Sequence, residues 1–123
     1  MIKLVYCLHR RVDLSFEEFS RYWLNEHAAL VKRHAPLLGV VRYVQSHATS
    51  PEANEALREA RDLLDPYDGV AEIYFKDFES MEKAHMSAAA EAAQQELTED
   101  EDKFLDRKRS CLFVTEEHVI IDS

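Results

Sequence analysis

Four short apolar runs punctuate this chain: "IKLVYCLHR" at residues 2–10, "VVRYVQSH" at 40–47, "GVAEIYF" at 69–75 and "CLFVTEEHVII" at 111–121. Each is brief and rich in aliphatic, β-branched and aromatic residues, which reads as strand. Long helical patterns separate the first run from the second and the third from the fourth. A shorter charged helix, "EANEALREARDLL", is inserted between the second and third. The order strand, helix, strand, strand, helix, strand predicts an α+β, ferredoxin-like βαββαβ sandwich with one inserted helix. Its 123 residues suit one domain spanning 1–123.

The strands carry a second constraint. A sheet covered by helices on one face alternates apolar and polar residues. Here Ile2, Leu4, Tyr6 and Leu8 are apolar, and so are Val5 and Cys7 between them. Residues 40–44 and 70–75 repeat the habit, apart from Arg42 and Glu72. No helix is left to cover the second face except the charged insertion. The periodicity therefore predicts a homodimer packed sheet to sheet. Asp at Val5 or Ile73 is expected to break dimer and fold together, because an unpaired buried charge is heavily penalised.

The helices have legible ends. Ser15, with Glu18 three residues later, forms a capping box, and Leu14 with Phe19 a hydrophobic staple. Pro36 disfavours helix before it and Gly39 follows, so this helix should end near Ala35. Ser50 before Pro51 reads as the cap of the inserted helix. Asp77 caps an alanine-rich helix expected over residues 78–96. Thr98 with Glu101 reads as another capping box, opening a last acidic turn. In "TEDEDKFLDRKR" acids precede bases, which suits a solvated capping segment. Arg10 and Arg11 are expected to pair with these acids, the alternative being an anionic group of a substrate.

Advancing 100° per residue, Phe16, Phe19, Trp23, His27, Leu30, Val31 and His34 share one face of the first long helix. Phe78, Met81, His85, Ala88, Ala89 and Ala92 share a face of the second. His27 and His85 are thus placed to meet between helices and sheet. A histidine on an apolar stripe is ordinarily a hydrogen-bonded core residue. His34 fits a plain role at a helix C-terminus, where the dipole favours it. His27, in mid-helix beside Trp23, fits that role less well. The alanine run favours helix by propensity, and it also leaves room for a ligand.

Several chemistries lack their residues. His27 and His34 are two turns apart, roughly 10 Å along the axis, too far to share a metal ion. A metal is left only through distant pairs such as His27 with His85, and none is expected. With only Gly39 and Gly69, no glycine-rich nucleotide loop is possible. No cofactor is expected. The net charge of −9 argues against nucleic acid and anionic membranes as partners. The N-terminal apolar run is too short for a membrane span and lacks the order of a signal peptide. Cys7 and Cys111, each inside a strand-like run, read as core thiols of a reducing compartment, so a cytoplasmic location is expected.

The segment "FEEFSRYWLNEHAALV", with its F-x-x-x-W-x-x-x-H core, is followed by "YVQSH", "PYDGVAEIYF" and "FLDRKRSCLFVTEEHVII". Together these resemble the EthD family of the dimeric α/β-barrel superfamily, whose relatives include muconolactone isomerases and aromatic polyketide cyclases. The resemblance covers nearly the whole chain and departs at Ala29, where many relatives have proline. It implies protomers whose sheets pair into a barrel and a pocket between each sheet and its helices. His27 would be the polar group in that pocket.

Two functions are compatible with these residues. One is a cofactor-free enzyme acting on a small, mostly apolar, aromatic or carbonyl-bearing metabolite. His27 would then be a general acid or base. Trp23, Tyr6, Tyr43, His47 and His85 would bind the substrate or polarise its carbonyl, for cyclisation, isomerisation or oxidation of a phenol. The other is a non-catalytic binder that sequesters an intermediate of an oxidative pathway. Convergent polar groups in the pocket would favour the first, an all-apolar pocket the second.

Overall fold

A computed structural model describes residues 1–123. Its elements run β1 (Ile2–Leu8), α1 (Phe16–Tyr22), a π-helical turn (Trp23–His27), α2 (Ala28–Leu38), β2 (Arg42–His47), α3 (Pro51–Arg61), β3 (Gly69–Phe75), α4 (Phe78–Lys83), α5 (Ala88–Glu101) and β4 (Cys111–Glu116). The strands form one antiparallel sheet in the order β2-β3-β1-β4. This is the ferredoxin-like α+β arrangement with α3 inserted between β2 and β3. No helix is long and apolar enough to cross a membrane.

The register assigns the faces. Leu4 pairs with Ile73 and Tyr6 with Ala71, while Tyr43 also pairs with Ile73. These side chains lie under the helices. Val5 pairs with Glu72 and Phe113, and Cys7 with Val70 and Cys111, on the opposite face. Ile73 and Val5 therefore point in opposite directions, because the side-chain period of a strand is two. A run apolar on both parities conceals that difference. The outward face is also mixed: Lys3 is ion-paired with Glu72 and Glu117, and Tyr74 donates to Glu117 at 3.0 Å. Cys111 is exposed on the edge strand and Cys7 half-buried, so neither is a core thiol; both are free.

The first helical rod follows its sequence signals at the start. Glu18 N donates to Ser15 Oγ at 3.1 Å and Ser15 N to Glu18 Oε1 at 3.0 Å, completing the box. At the other end the helix runs through Pro36 to Leu38. Burial of Leu38 draws it on, and Gly39 closes it with φ of 73°. Only glycine takes that left-handed cap without a Cβ penalty. Ser50 makes no side-chain cap bond.

The second helical segment is two helices rather than one. Ser87 adopts extended backbone and its Oγ accepts from Ala90 N at 3.0 Å, starting α5 afresh. The restart rotates the stripe. Ala90, Ala93 and Leu97 are buried, whereas Ala88, Ala89 and Ala92 are exposed. Thr98 is no cap: it lies inside α5, where its hydroxyl donates to Gln94 O at 2.9 Å.

Two apolar clusters brace the sheet. Leu8, Phe19, Trp23, Ala71, Phe104 and Leu105 form one. Val31, Leu38, Ala84, Ala90, Ala93 and Leu97 form the other. Gly69 allows the first to close. A Cβ there would stand 2.5 Å from Trp23 Cζ3 and 2.8 Å from Ser46 O. The indole thus lies directly on the start of β3.

Candidate functional site

Phe19, Trp23, His27 and Val31 recur every four residues, and all four are buried. In a regular α-helix four residues advance about 400°, so such a row drifts about 40° per step. The π turn at Trp23–His27 widens the helix where the row would leave the sheet, with Ala28 N donating to Trp23 O, five residues back. Gln45 of β2 holds the turn from below. Its Nε2 donates to Trp23 O at 2.9 Å and to Tyr43 Oη at 3.0 Å. Its Oε1 accepts from His47 Nε2 at 2.8 Å, which leaves His47 Nδ1 to accept from Ser20 Oγ at 2.6 Å.

The result is a cavity of about 360 Å³ between the rod, α5 and the sheet. Leu4, Leu8, Val31, Ala71, Ile73, Leu97 and Phe104 supply apolar wall. The polar groups that reach it belong to His27, Tyr6, Tyr43, His85, Gln94 and Glu101. No lysine or arginine lines it.

His27 is oriented by groups behind it. Its Nδ1 lies 2.8 Å from Asp100 Oδ2, and Tyr22 donates its hydroxyl to Asp100 Oδ1 at 2.6 Å. Phe104 packs its ring 4.9 Å from the imidazole. With Nδ1–H given to the carboxylate, the Nε2 lone pair is left for the cavity. Burial lowers the His27 pKa below 6.5 against the opposing pull of Asp100, so the ring is neutral near neutral pH. Burial pulls Asp100 up, but hydrogen bonds from Tyr22 and His27 outweigh it and hold the carboxyl below its usual range.

Two tyrosines face the same space. Tyr6 donates to Glu101 Oε1 at 2.7 Å. Tyr43 accepts from Gln45, which leaves its own proton for a guest. Burial raises the pKa of both, so both stay protonated donors.

Of the residues singled out from sequence, His27, Trp23, Tyr6, Tyr43 and His85 all line the cavity. His85 sits in the exposed turn between α4 and α5. His47 is outside, stacked against Trp23 at 4.3 Å between ring centroids, where it supports the indole and Gln45. His34 bonds Glu96 at 3.1 Å and takes no part. Asp100, Glu101, Tyr22 and Phe104 were missed. "TEDEDKFLDRKR" is not wholly a solvated cap: Asp100, Phe104 and Leu105 are buried, while Glu99, Asp102, Lys103 and residues 107–109 face solvent. Arg10 pairs with Asp68 and Arg11 with Asp13 instead of with these acids, although Arg11 does donate to the Asp102 carbonyl at 3.1 Å. Extending the stripe of Ala93 and Leu97 by three and seven residues reaches Asp100 and Phe104, the one signal available. No group of three or more His, Cys, Asp or Glu side chains is placed to hold a metal ion.

Comparison with known proteins gives a consistent picture. A family model described as the EthD domain matches residues 11–108. An ethyl tert-butyl ether d (EthD) family protein from Bacillus halodurans superposes with a TM-score of 0.63 at 21% identity, covering 96% of this chain and 99% of that one. HapK from Hahella chejuensis gives 0.59 at 13% identity over 100% and 97% of the two chains. A dimeric protein of unknown function and ferredoxin-like fold from Bacteroides fragilis gives 0.58 at 9% identity over 94% and 95%. No curated protein matches the sequence.

Proposed function

The chain belongs to the EthD family, and from that premise we propose that its cavity binds a small, mostly apolar, aromatic or carbonyl-bearing molecule on which His27 moves a proton without a cofactor. The observation that carries this reading is the His27 pair itself. An imidazole fixed at Nδ1 by a buried carboxylate presents Nε2 to an apolar chamber, the arrangement of a general base. Tyr43 supplies a hydroxyl for the substrate oxygen. An enolisable ketone suits both: Nε2 takes the proton from the carbon beside the carbonyl while the oxygen is held. Isomerisation and ring closure both proceed through such an enol.

Sequestration without turnover is the competing role. A carrier needs shape and apolar surface; it has no use for a buried Tyr22–Asp100–His27 chain, which is costly to assemble unless fully satisfied. The convergence of these groups supports turnover.

We further propose that two copies pair through their sheets. Phe113 of β4 shares the outward face of Val5, and Leu112 and Val114 on the same edge strand, with Val119, Ile120 and Ile121 beyond it, are also exposed in one copy. An apolar edge of that kind is ordinarily covered.

Trp23 is the only tryptophan and lies in the cavity wall, so its fluorescence reports occupancy. Titration with a panel of small phenols and cyclic ketones should quench it. His27→Phe should keep the quenching and lose turnover. A panel that leaves Trp23 unchanged, or a His27→Phe protein that turns substrate over at the wild-type rate, would remove the proposal.

A further inference from the structure

We propose that Glu101 is the second proton-transferring group of the cavity: it hands a proton to the oxygen of an uncharged cyclic ketone while His27 takes one from the neighbouring carbon. The inference rests on the reading of His27 given above and adds a partner residue and a substrate class to it.

Asp100 and Glu101 are consecutive at the end of α5, so their side chains leave the helix about 100° apart. Asp100 turns toward the first helical rod and stays behind the imidazole. Glu101 turns toward β1 and reaches the cavity. One turn of helix thus supplies both the group that orients the base and a second carboxyl in the lining of the same cavity. Tyr6 engages one oxygen of Glu101 and leaves the other for a guest.

The charges around Glu101 decide its form. Arg107 is 4.0 Å from Oε1, yet its nearer partner is Asp102 at 2.7 Å. Asp100 and Asp102 are negative neighbours. From the sheet, the rod and the turn between α4 and α5, the titratable groups lining the cavity beside it are Tyr6, Tyr43, His27 and His85, and no lysine or arginine is among them. Burial raises the Glu101 pKa above the ordinary carboxylate value despite Tyr6 and Arg107. A carboxyl that holds its proton to higher pH than usual can donate it as a hydrogen bond to a guest oxygen.

The step balances. Nε2 of His27 removes a proton from the carbon next to the carbonyl. The C–H electron pair becomes the C=C bond, the C=O π pair moves to oxygen, and oxygen takes the Glu101 proton. The products are an enol, imidazolium and a Glu101 carboxylate; reversal returns the ketone. An anionic substrate meets no lysine or arginine in the lining and would face Glu101, so the cavity selects neutral molecules.

Deuterium exchange into 2-tetralone in D2O, followed by NMR across pH, tests this. The wild-type rate should rise as His27 loses its proton and fall as Glu101 ionises. Glu101→Gln should bind the ketone, by Trp23 quenching, yet exchange it about a hundredfold more slowly and lose the alkaline fall. The infrared band of a protonated carboxyl, absent in Glu101→Gln, should titrate above the ordinary carboxylate range and shift when 2-tetralone binds. 2-Naphthoate, an anion of similar shape, should quench far more weakly. Wild-type exchange in Glu101→Gln, or a band that titrates as an ordinary carboxylate or ignores the ketone, overturns the proposal whatever His27 does. Undiminished exchange in His27→Phe instead sinks the His27 reading, while the band still judges Glu101.

Discussion

His27 Nδ1 and Asp100 Oδ2 stand 2.8 Å apart although 73 residues separate them in the chain. The pair joins the π turn of the first rod to the last turn of α5, across the helix pair that roofs the cavity. Tyr22 closes the chain on Asp100 from one turn earlier. Because both partners are buried, each depends on the other: an imidazole without the carboxylate loses its fixed tautomer, and a carboxylate without the imidazole loses a buried donor.

Asp100→Asn is the direct test of that dependence. The amide fills the same space but no longer fixes Nδ1–H. Turnover should fall about 10²–10⁴-fold, the range over which positioned acid–base groups act. Stability should fall by about 1–3 kcal/mol for the disturbed buried hydrogen bonds. Steady-state rates with denaturant unfolding measure both, and quenching of Trp23 by ligand should be unchanged.

Replacing His27 with Phe should leave a folded protein, since Phe suits an apolar stripe, and should change its response to acid. Burial holds the folded pKa of His27 below 6.5. As pH falls below that value the unfolded chain binds the proton first, so the stability contribution is present above about pH 6.5 and lost as pH drops through the folded pKa. His27→Phe should therefore lose less Tm between pH 8 and pH 5 than the wild type.

Strand order, the first rod and its Ser15–Glu18 box were legible because each rests on local pattern. Trp23 and His27 were legible for the same reason, standing on one clean stripe. The carboxylates were not. Thr98 and Glu101 have the spacing of a capping box, and the acids before Arg107 fit a helix dipole, so local rules explained them without a site. Ser87 hid a helix break at the head of an alanine run, which shifted the alanines assigned to that stripe. Ile73 was grouped with Val5, from which it points away, because its strand is apolar on both sides. His47 has the right strand parity for the cavity, but the bulk of Trp23 stands between.

Gly69→Ala should be among the most damaging small changes. The new methyl meets the Trp23 ring at 2.5 Å and the Ser46 carbonyl at 2.8 Å. Backbone cannot yield cheaply, so the indole must move, at a cost of about 1–3 kcal/mol or more for overpacking. Since Trp23 lines the cavity, its emission should shift as well as the unfolding midpoint. An unchanged midpoint would mean that the indole rests less tightly on β3 than its position implies.

Removing residues 52–64 should leave the sheet and cavity intact. Helix α3 buries none of its residues. The strands it interrupts are already joined at its base, where Ala48 N donates to Asp68 O at 2.9 Å. Shortening the connection thus lowers loop-closure entropy without removing core. Circular dichroism and ligand quenching should match the wild type. Aggregation of the shortened chain would show that α3 covers apolar surface, of this copy or of a second one.

Val5→Asp and Ile73→Asp should differ, because the two side chains leave the sheet on opposite sides. At Val5 the carboxylate joins a face that already carries Lys3 and Glu72, and in a single copy it is hydrated. The expected product is a folded monomer that still quenches with ligand, seen as a fall in sedimentation coefficient from a wild-type dimer. At Ile73 the carboxylate enters the cavity wall between Leu4 and Tyr43, where it has no cation to meet. An unpaired charge there costs several kcal/mol, so this variant should unfold at a much lower denaturant concentration or lose ligand binding. A wild-type protein that sediments as a monomer at micromolar concentration would end the pairing proposal, and a Val5→Asp protein that remains dimeric would move the interface off this face.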